Sequence, residues 1–218
     1  MRFKALSVAL GASMLSAAMV YGAGSDSKRG TGSKVGSGSK PAGSHAKAHS
    51  HDNYVVDTTH ARVGFSIDHL MISKVQGAFK DYEASLHMHG GTLASATAVI
   101  KVASVDTGNK KRDQHLLAPD FFDAAKYPTI TFKSKSVKGK DILIGDLTIR
   151  DVTKEVELKY TVKGPVKDPW GNTKVGFQGS CEIDRTEYGL TYSAAMEAGG
   201  LVVGKMVTLQ IDLEAAKK

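Results

Sequence analysis

Apolar and polar residues alternate with period two along most of the chain. In "KEVELKYTVKG", Val156, Leu158, Tyr160 and Val162 share one face, while Glu155, Glu157, Lys159, Thr161 and Lys163 share the other. In "VTLQIDLEA", Val207, Leu209, Ile211 and Leu213 oppose Thr208, Gln210, Asp212 and Glu214. "RVGFSID" sets Val63, Phe65 and Ile67 against Arg62, Ser66 and Asp68, and "VGFQGSCEI" aligns Val175, Phe177, Gly179, Cys181 and Ile183. This alternation predicts antiparallel strands with one dry face and one wet face. Further strands are expected over 54–57, 76–87, 95–105, 129–137 and 141–149, divided by turn signals at His89, Lys138, Lys163, Asp168 and Glu197. So many one-sided strands need a second sheet or closure on themselves. Closure removes unpaired edges, and no long helix is at hand to cover one, so the fold class is all-β: a barrel of about eight antiparallel strands.

One stretch breaks the alternation. "NKKRDQHLLAPDFFDAA" opens with Asn109, a good helix cap, and meets Pro119 one or two turns later. It predicts a short helical excursion between two strands, lying over a barrel end, with Leu116, Leu117, Phe121 and Phe122 facing something dry.

The N-terminus belongs to no strand. A basic start, an uncharged stretch rich in Ala, Ser and Gly, and small residues near Gly22 predict a cleavable export leader over 1–23. Residues 24–53 are mostly Gly, Ser, Lys and His, with little to bury, and predict a flexible linker. One barrel domain, 54–218, remains. The net charge of +7 resides mostly outside it: leader and linker hold seven basic and two acidic residues, leaving 22 basic against 20 acidic from Tyr54 onward. A nearly neutral domain whose aromatic residues sit on the dry face does not read as a nucleic-acid binder.

Little else suggests chemistry. The single cysteine, Cys181, rules out an internal disulfide and lies among apolar strand positions, as a buried thiol would. Of eight histidines, His45, His49 and His51 fall in the linker, and His87 and His89 take outward parity on one strand with no third ligand in view, so no metal site is expected. No nucleophile elbow, phosphate loop or acid–base pair stands out, and no catalytic residues are assigned. The dry face remains. A barrel of this size is either plugged by side chains or holds one small ligand. Gly64, Gly145, Gly179 and Ala98 are candidates for leaving space, but periodicity leaves cavity and filled core open.

Four segments in order, "YVVDTTHARVGFSIDHL", "RDQHLLAPDFFDAAKYPTITF", "GDLTIRDVTKEVEL" and "GFQGSCEIDRTEYGL", resemble the YceI family of bacterial exported proteins. One departure is Asp151, where the family usually has Gly, which puts the local turn in question. The resemblance implies a lipocalin-like barrel with a long apolar tunnel and a periplasmic location. It also implies a polyisoprenoid, isoprenoid quinone or fatty-acid derivative as ligand, and some relatives are linked with cytochrome b561-type membrane proteins. A membrane donor or acceptor and a homodimer follow as expectations, with no cofactor beyond a bound quinone or polyprenyl lipid. On this reading 109–126 cap the mouth, and the ligand-binding candidates are Phe65, His69, Arg112, His115, Leu116, Leu117, Phe121, Phe122, Phe132, Leu147, Phe177 and Arg185. Arg112, Asp113 and His115 are expected to hold the cap or meet a headgroup, with a purely structural Arg112–Asp113 ion pair as the alternative. His60, His69 and Arg185 match family positions or brace strand ends. Carrier, enzyme acting on a tunnel-held lipid or quinone, and plugged barrel acting through its surface all remain open.

Overall fold

A computed structural model describes residues 51–193 and 202–218. The expected leader and linker to residue 50, the linker histidines His45 and His49, and the turn signal at Glu197 lie outside the described residues. The linker boundary needs correction. Strand β1 (His51–Val56) already includes residues 51–53, pairing His51 with His89 and Asn53 with His87. Polar side chains hid this strand, but the ladder it joins is made by the backbone.

Strands β2 (Arg62–His69), β3 (Ser73–Phe79), β4 (Tyr82–His89), β5 (Thr92–Lys101) and β6 (Val105–Asp106) follow. After helix α1 (Lys110–Leu116) come β7 (Thr129–Lys138), β8 (Ile142–Ile149), β9 (Val152–Lys167), β10 (Thr173–Asp184) and β11 (Val203–Lys217). The strands pair antiparallel throughout the described residues. The long strands expected over 76–87 and 95–105 are each broken in two. The first breaks at Lys80–Asp81, the second at a 3-10 turn, Val102–Ser104. The two breaks are locked together: Lys80 N–H donates to Ser104 O (3.1 Å) and Lys101 N–H to Asp81 O (2.9 Å). A third bend, the 3-10 turn Thr58–His60 capped by Asp57, separates β1 from β2.

Counted as paths, β1–β2, β3–β4 and β5–β6 are three bent strands, and with β7 to β11 they make eight. Each path pairs with the next, and β11 returns to pair with β1 and β2. The sheet is therefore a closed up-and-down barrel. Its strands are long. The 16 residues of β9 span about 50 Å at the usual rise. The departure at Asp151 is absorbed by the two-residue β8–β9 turn: Arg150 takes the left-handed conformation (φ 58°), and Asp151 accepts a hydrogen bond from Tyr127 Oη (2.9 Å).

The interior is unequal. At the end carrying the β4–β5, β7–β8 and β9–β10 hairpins it is solid: Tyr54, Met88, Leu93, Tyr160, Val175 and Ala215 are buried and form a floor. At the other end, beneath α1 and the turn that follows β10, it is hollow.

Candidate ligand cavity

Helix α1 has only 7 residues and cannot stand alone. Asn109 caps it, its Oδ1 accepting from Lys111 N–H and Arg112 N–H. Thr107 then anchors it from both sides. Asp113 Oδ1 accepts from Thr107 N–H (2.9 Å) and Oγ1 (2.6 Å), while Arg112 donates Nε to Thr107 Oγ1 (2.7 Å) and Nη2 to Thr107 O (2.8 Å). Arg112 and Asp113 thus grip one residue and do not bridge to each other, which corrects the ion-pair alternative.

Beyond α1 the chain doubles back, with Phe122 N–H donating to Leu116 O and Ala124 N–H to Leu117 O (both 3.0 Å). Arg150 ties this cap to the opposite rim by donating Nη1 to Phe121 O (3.2 Å) and Gly189 O (3.0 Å). The ring of Phe122 meets Phe79 edge-on at 5.9 Å, and Phe79 meets Phe65 at 5.8 Å. The cap continues an aromatic row already inside the barrel.

Under the cap lies a cavity of about 320 Å³ with aliphatic and aromatic walls. Leu86, Leu143 and Phe177 form its base, against the floor. Eleven of the twelve residues selected from the sequence line it: Phe65, His69, Arg112, His115, Leu116, Phe121, Phe122, Phe132, Leu147, Phe177 and Arg185. Leu117 does not. It ends the helix and packs against the core.

The glycines act differently from expectation. A Cβ on Gly145 would lie 2.6 Å from the Phe132 ring, on Gly179 2.9 Å from the Phe177 ring, and on Gly77 2.3 Å from the Phe65 ring. These glycines make room for rings lying flat across the sheet, so the space they free is already taken. Gly64 has outward parity, and its Cβ would meet Arg62 Nε at 2.9 Å. Of the small residues proposed as space-makers, Ala98 lines the cavity by inward parity, and Gly64 borders it through its backbone.

Polar groups gather at the mouth. His115 donates Nε2–H to Asp120 Oδ2 (2.7 Å) and stands edge-on to Phe121 (5.0 Å) and Tyr192 (4.9 Å). Tyr192 is 42% exposed, so this aromatic trio marks where the cavity meets water. Arg185 is 5% exposed and donates to the carbonyls of Gly204 (2.8 Å), Val203 (3.3 Å) and Leu190. Burial pushes its pKa down. It clamps the chain after β10 to the start of β11 while one side borders the cavity. Cys181 also borders the cavity, and burial pushes its thiol up to about 11, as an unreactive position would be. Sequence reasoning missed Leu190, the last residue of the fourth family segment, and Tyr192 and Val203, which lie between that segment and the clear alternation that begins at Val207.

Outside the barrel, ligand-type atoms of Asp57, His60 and Glu214 come within 4.8 Å of one another. Asp57 is already engaged by Thr59 and His60, and Glu214 by Lys174 (2.6 Å), so the trio is explained as a cap and an ion pair. His60 braces a strand end, one of the two roles its motif position allowed.

The profile of the YceI-like domain matches residues 54–215. The chain belongs to the YceI-like family. Among curated YceI-like relatives, a UPF0312 protein of Staphylococcus aureus (strain USA300) is 34% identical over 165 residues, covering 74% of this chain and 96% of that protein. Among solved structures, BcnA of Burkholderia cenocepacia superposes with a TM-score of 0.63 at 26% identity, covering 73% of this chain and 98% of that one. The Campylobacter jejuni YCEI protein gives 0.61 at 34% identity, covering 69% and 90%. A polyisoprenoid binding domain from Saccharophagus degradans gives 0.59 at 18% identity, covering 76% and 98%, and shows the shared fold.

Proposed function

We propose that this YceI-like protein takes the tail of a long apolar amphiphile into the barrel and serves as a periplasmic carrier or sequestering protein. The ligand classes are a polyisoprenoid, an isoprenoid quinone or a fatty-acid derivative. The observation that carries the reading is a cavity apolar to its base, closed by a packed floor at one end and ringed by Arg112, His115 and Tyr192 at the other. Such a shape suits a molecule with one oily end and one polar end. The name of the Saccharophagus domain agrees with this for that protein. The exported location rests on the leader read from the sequence.

The energetics favour the tail. Each buried methylene contributes about 0.8 kcal/mol, so ten contribute about 8 kcal/mol before ordering costs. A single hydrogen bond at the mouth nets about 1 kcal/mol. Affinity therefore follows tail length, and the mouth residues orient the headgroup. Nothing in this process breaks or forms a covalent bond.

Native mass spectrometry of the protein purified from its own cells tests the reading. An apolar ligand should leave with the protein, and the emptied protein should bind a fluorescent long-chain fatty acid. A protein that arrives empty and takes up no such probe overturns it.

A further inference from the structure

The β2–β3 hairpin projects from the mouth end of the barrel. Its tip is a tight turn, His69 to Ile72, in which Ile72 N–H donates to His69 O (3.2 Å). Both central residues are left-handed: Leu70 at φ 53° and Met71 at φ 61°. Turns of this kind favour Asn and Gly, because a side chain there strains the backbone. This chain places two large apolar residues in them and a third beside them. Leu70 is 37% exposed, Met71 71% and Ile72 85%. Backbone strain and exposed apolar surface both disfavour this tip in water.

The tip is coupled to the cavity. Asp68, His69 and Val75, on the two arms of the hairpin, line the cavity. Leu70 N–H donates to Val202 O (2.9 Å), joining the tip to the chain leading into β11, where Val203 also lines the cavity. Lys74, on the hairpin's own arm β3 and paired with Asp68 (2.7 Å), and Lys205, on the neighbouring strand β11 and attracted by Asp184, lie just behind the apolar tip. Apolar residues in front and ammonium groups behind are arranged as for a bilayer: side chains enter the acyl layer, and lysines remain among the phosphates.

We propose that residues 70–72 are a membrane-insertion tip that sets the cavity mouth against a phospholipid bilayer, so that an apolar tail passes between bilayer and barrel without crossing water. The inference rests on the tail-binding reading and adds the partner surface and the orientation on it. The floor end faces away from the membrane.

Fluorescence of the full chain tests the orientation. The natural Trp170 is 82% exposed on the β9–β10 hairpin at the floor end. A variant carrying Ile72→Trp and Trp170→Phe moves the fluorophore to the tip. With vesicles of brominated phosphatidylcholine and phosphatidylglycerol, the tip variant should shift to the blue and be quenched, while Trp170 of the native chain should not. Quenching at Trp170 alone, or at neither position, overturns the proposal. A second variant, Met71→Asp with Ile72→Asp, should take a fluorescent long-chain fatty acid from vesicles about tenfold more slowly or worse, yet bind the same probe added from solution with native affinity. Transfer at the native rate overturns the proposal. Tip quenching in a protein that binds no probe from solution upholds the membrane contact and removes the tail-binding reading alone.

Discussion

Replacing Gly145 with alanine tests how the cavity wall is built. The added Cβ would lie 2.6 and 2.7 Å from Cζ and Cε2 of Phe132 and 2.8 Å from the carbonyl oxygen of Lys133. The ring can move only into the cavity it borders. The oxygen belongs to the β7–β8 ladder and can move only with the backbone, beside the register shift between Ser134 and Ser136. Overpacking of this kind costs about 1–3 kcal/mol. Alanine offsets part of that, about 0.5–1 kcal/mol, by restricting the unfolded chain. At the middle of both ranges the net loss is about 1.3 kcal/mol, which in a domain of this size lowers Tm by about 3–5 °C. Thermal and urea unfolding followed by circular dichroism would measure it. Gly176 is the control, since its Cβ would meet only Lys163 Cβ at 3.9 Å, and alanine there should be neutral or slightly stabilising. Adding Phe132→Leu to Gly145→Ala should recover stability through a coupling of about 0.5 kcal/mol or more. A Gly145→Ala protein as stable as the native one, or a cycle without coupling, would refute the idea that ring and glycine are a packed pair.

Three further outcomes are expected. Arg185→Met removes the donors that hold Leu190, Val203 and Gly204, and should cost about 2–4 kcal/mol; an unchanged melting temperature would show that the clamp carries no stability. Asp57 is held far below its ordinary 3.8 by hydrogen bonds from Thr59 and His60, so its stabilising contribution is present above about pH 4 and fades as pH falls below that. Native and Asp57→Asn proteins should therefore differ most in urea midpoint near neutrality and converge in acid; a constant difference across pH would contradict this. Cys181, with its thiol at about 11 against an ordinary 9.0, should react with iodoacetamide at pH 8 about a hundredfold more slowly than in the unfolded chain, and comparable rates would mean that the wall opens readily.

Much of the architecture was readable from sequence because period two is a local signal. Val156, Leu158 and Tyr160 declare an inward face by spacing alone, and Asn109 followed by Pro119 brackets a short helix. Where the signal failed, the cause was not local. Lys80 and Ser104 bend their strands because each satisfies the other across the sheet, and neither sequence neighbourhood reveals its partner. The polar residues 51–53 become strand only because β4 offers its edge.

The candidate site shows the same division. Apolar strand residues of inward parity such as Phe65 and Phe177 were expected to face the interior, and with the cap and polar residues that the family resemblance added, eleven of the twelve candidates line the cavity. Whether that interior was empty could not be inferred. Gly145 and Gly179 suggested space, but the rings of Phe132 and Phe177 lie over them. The hollow arises instead beneath the cap, where Arg112 and Asp113 hold Thr107 and Arg150 binds the carbonyl of Phe121. By itself, then, the chain determined which residues face inward, since alternation follows from the pleat of each strand. Only the tertiary structure decided how much of the inside is filled. Volume depends on which side chains meet across the barrel, and those meetings join residues far apart in sequence.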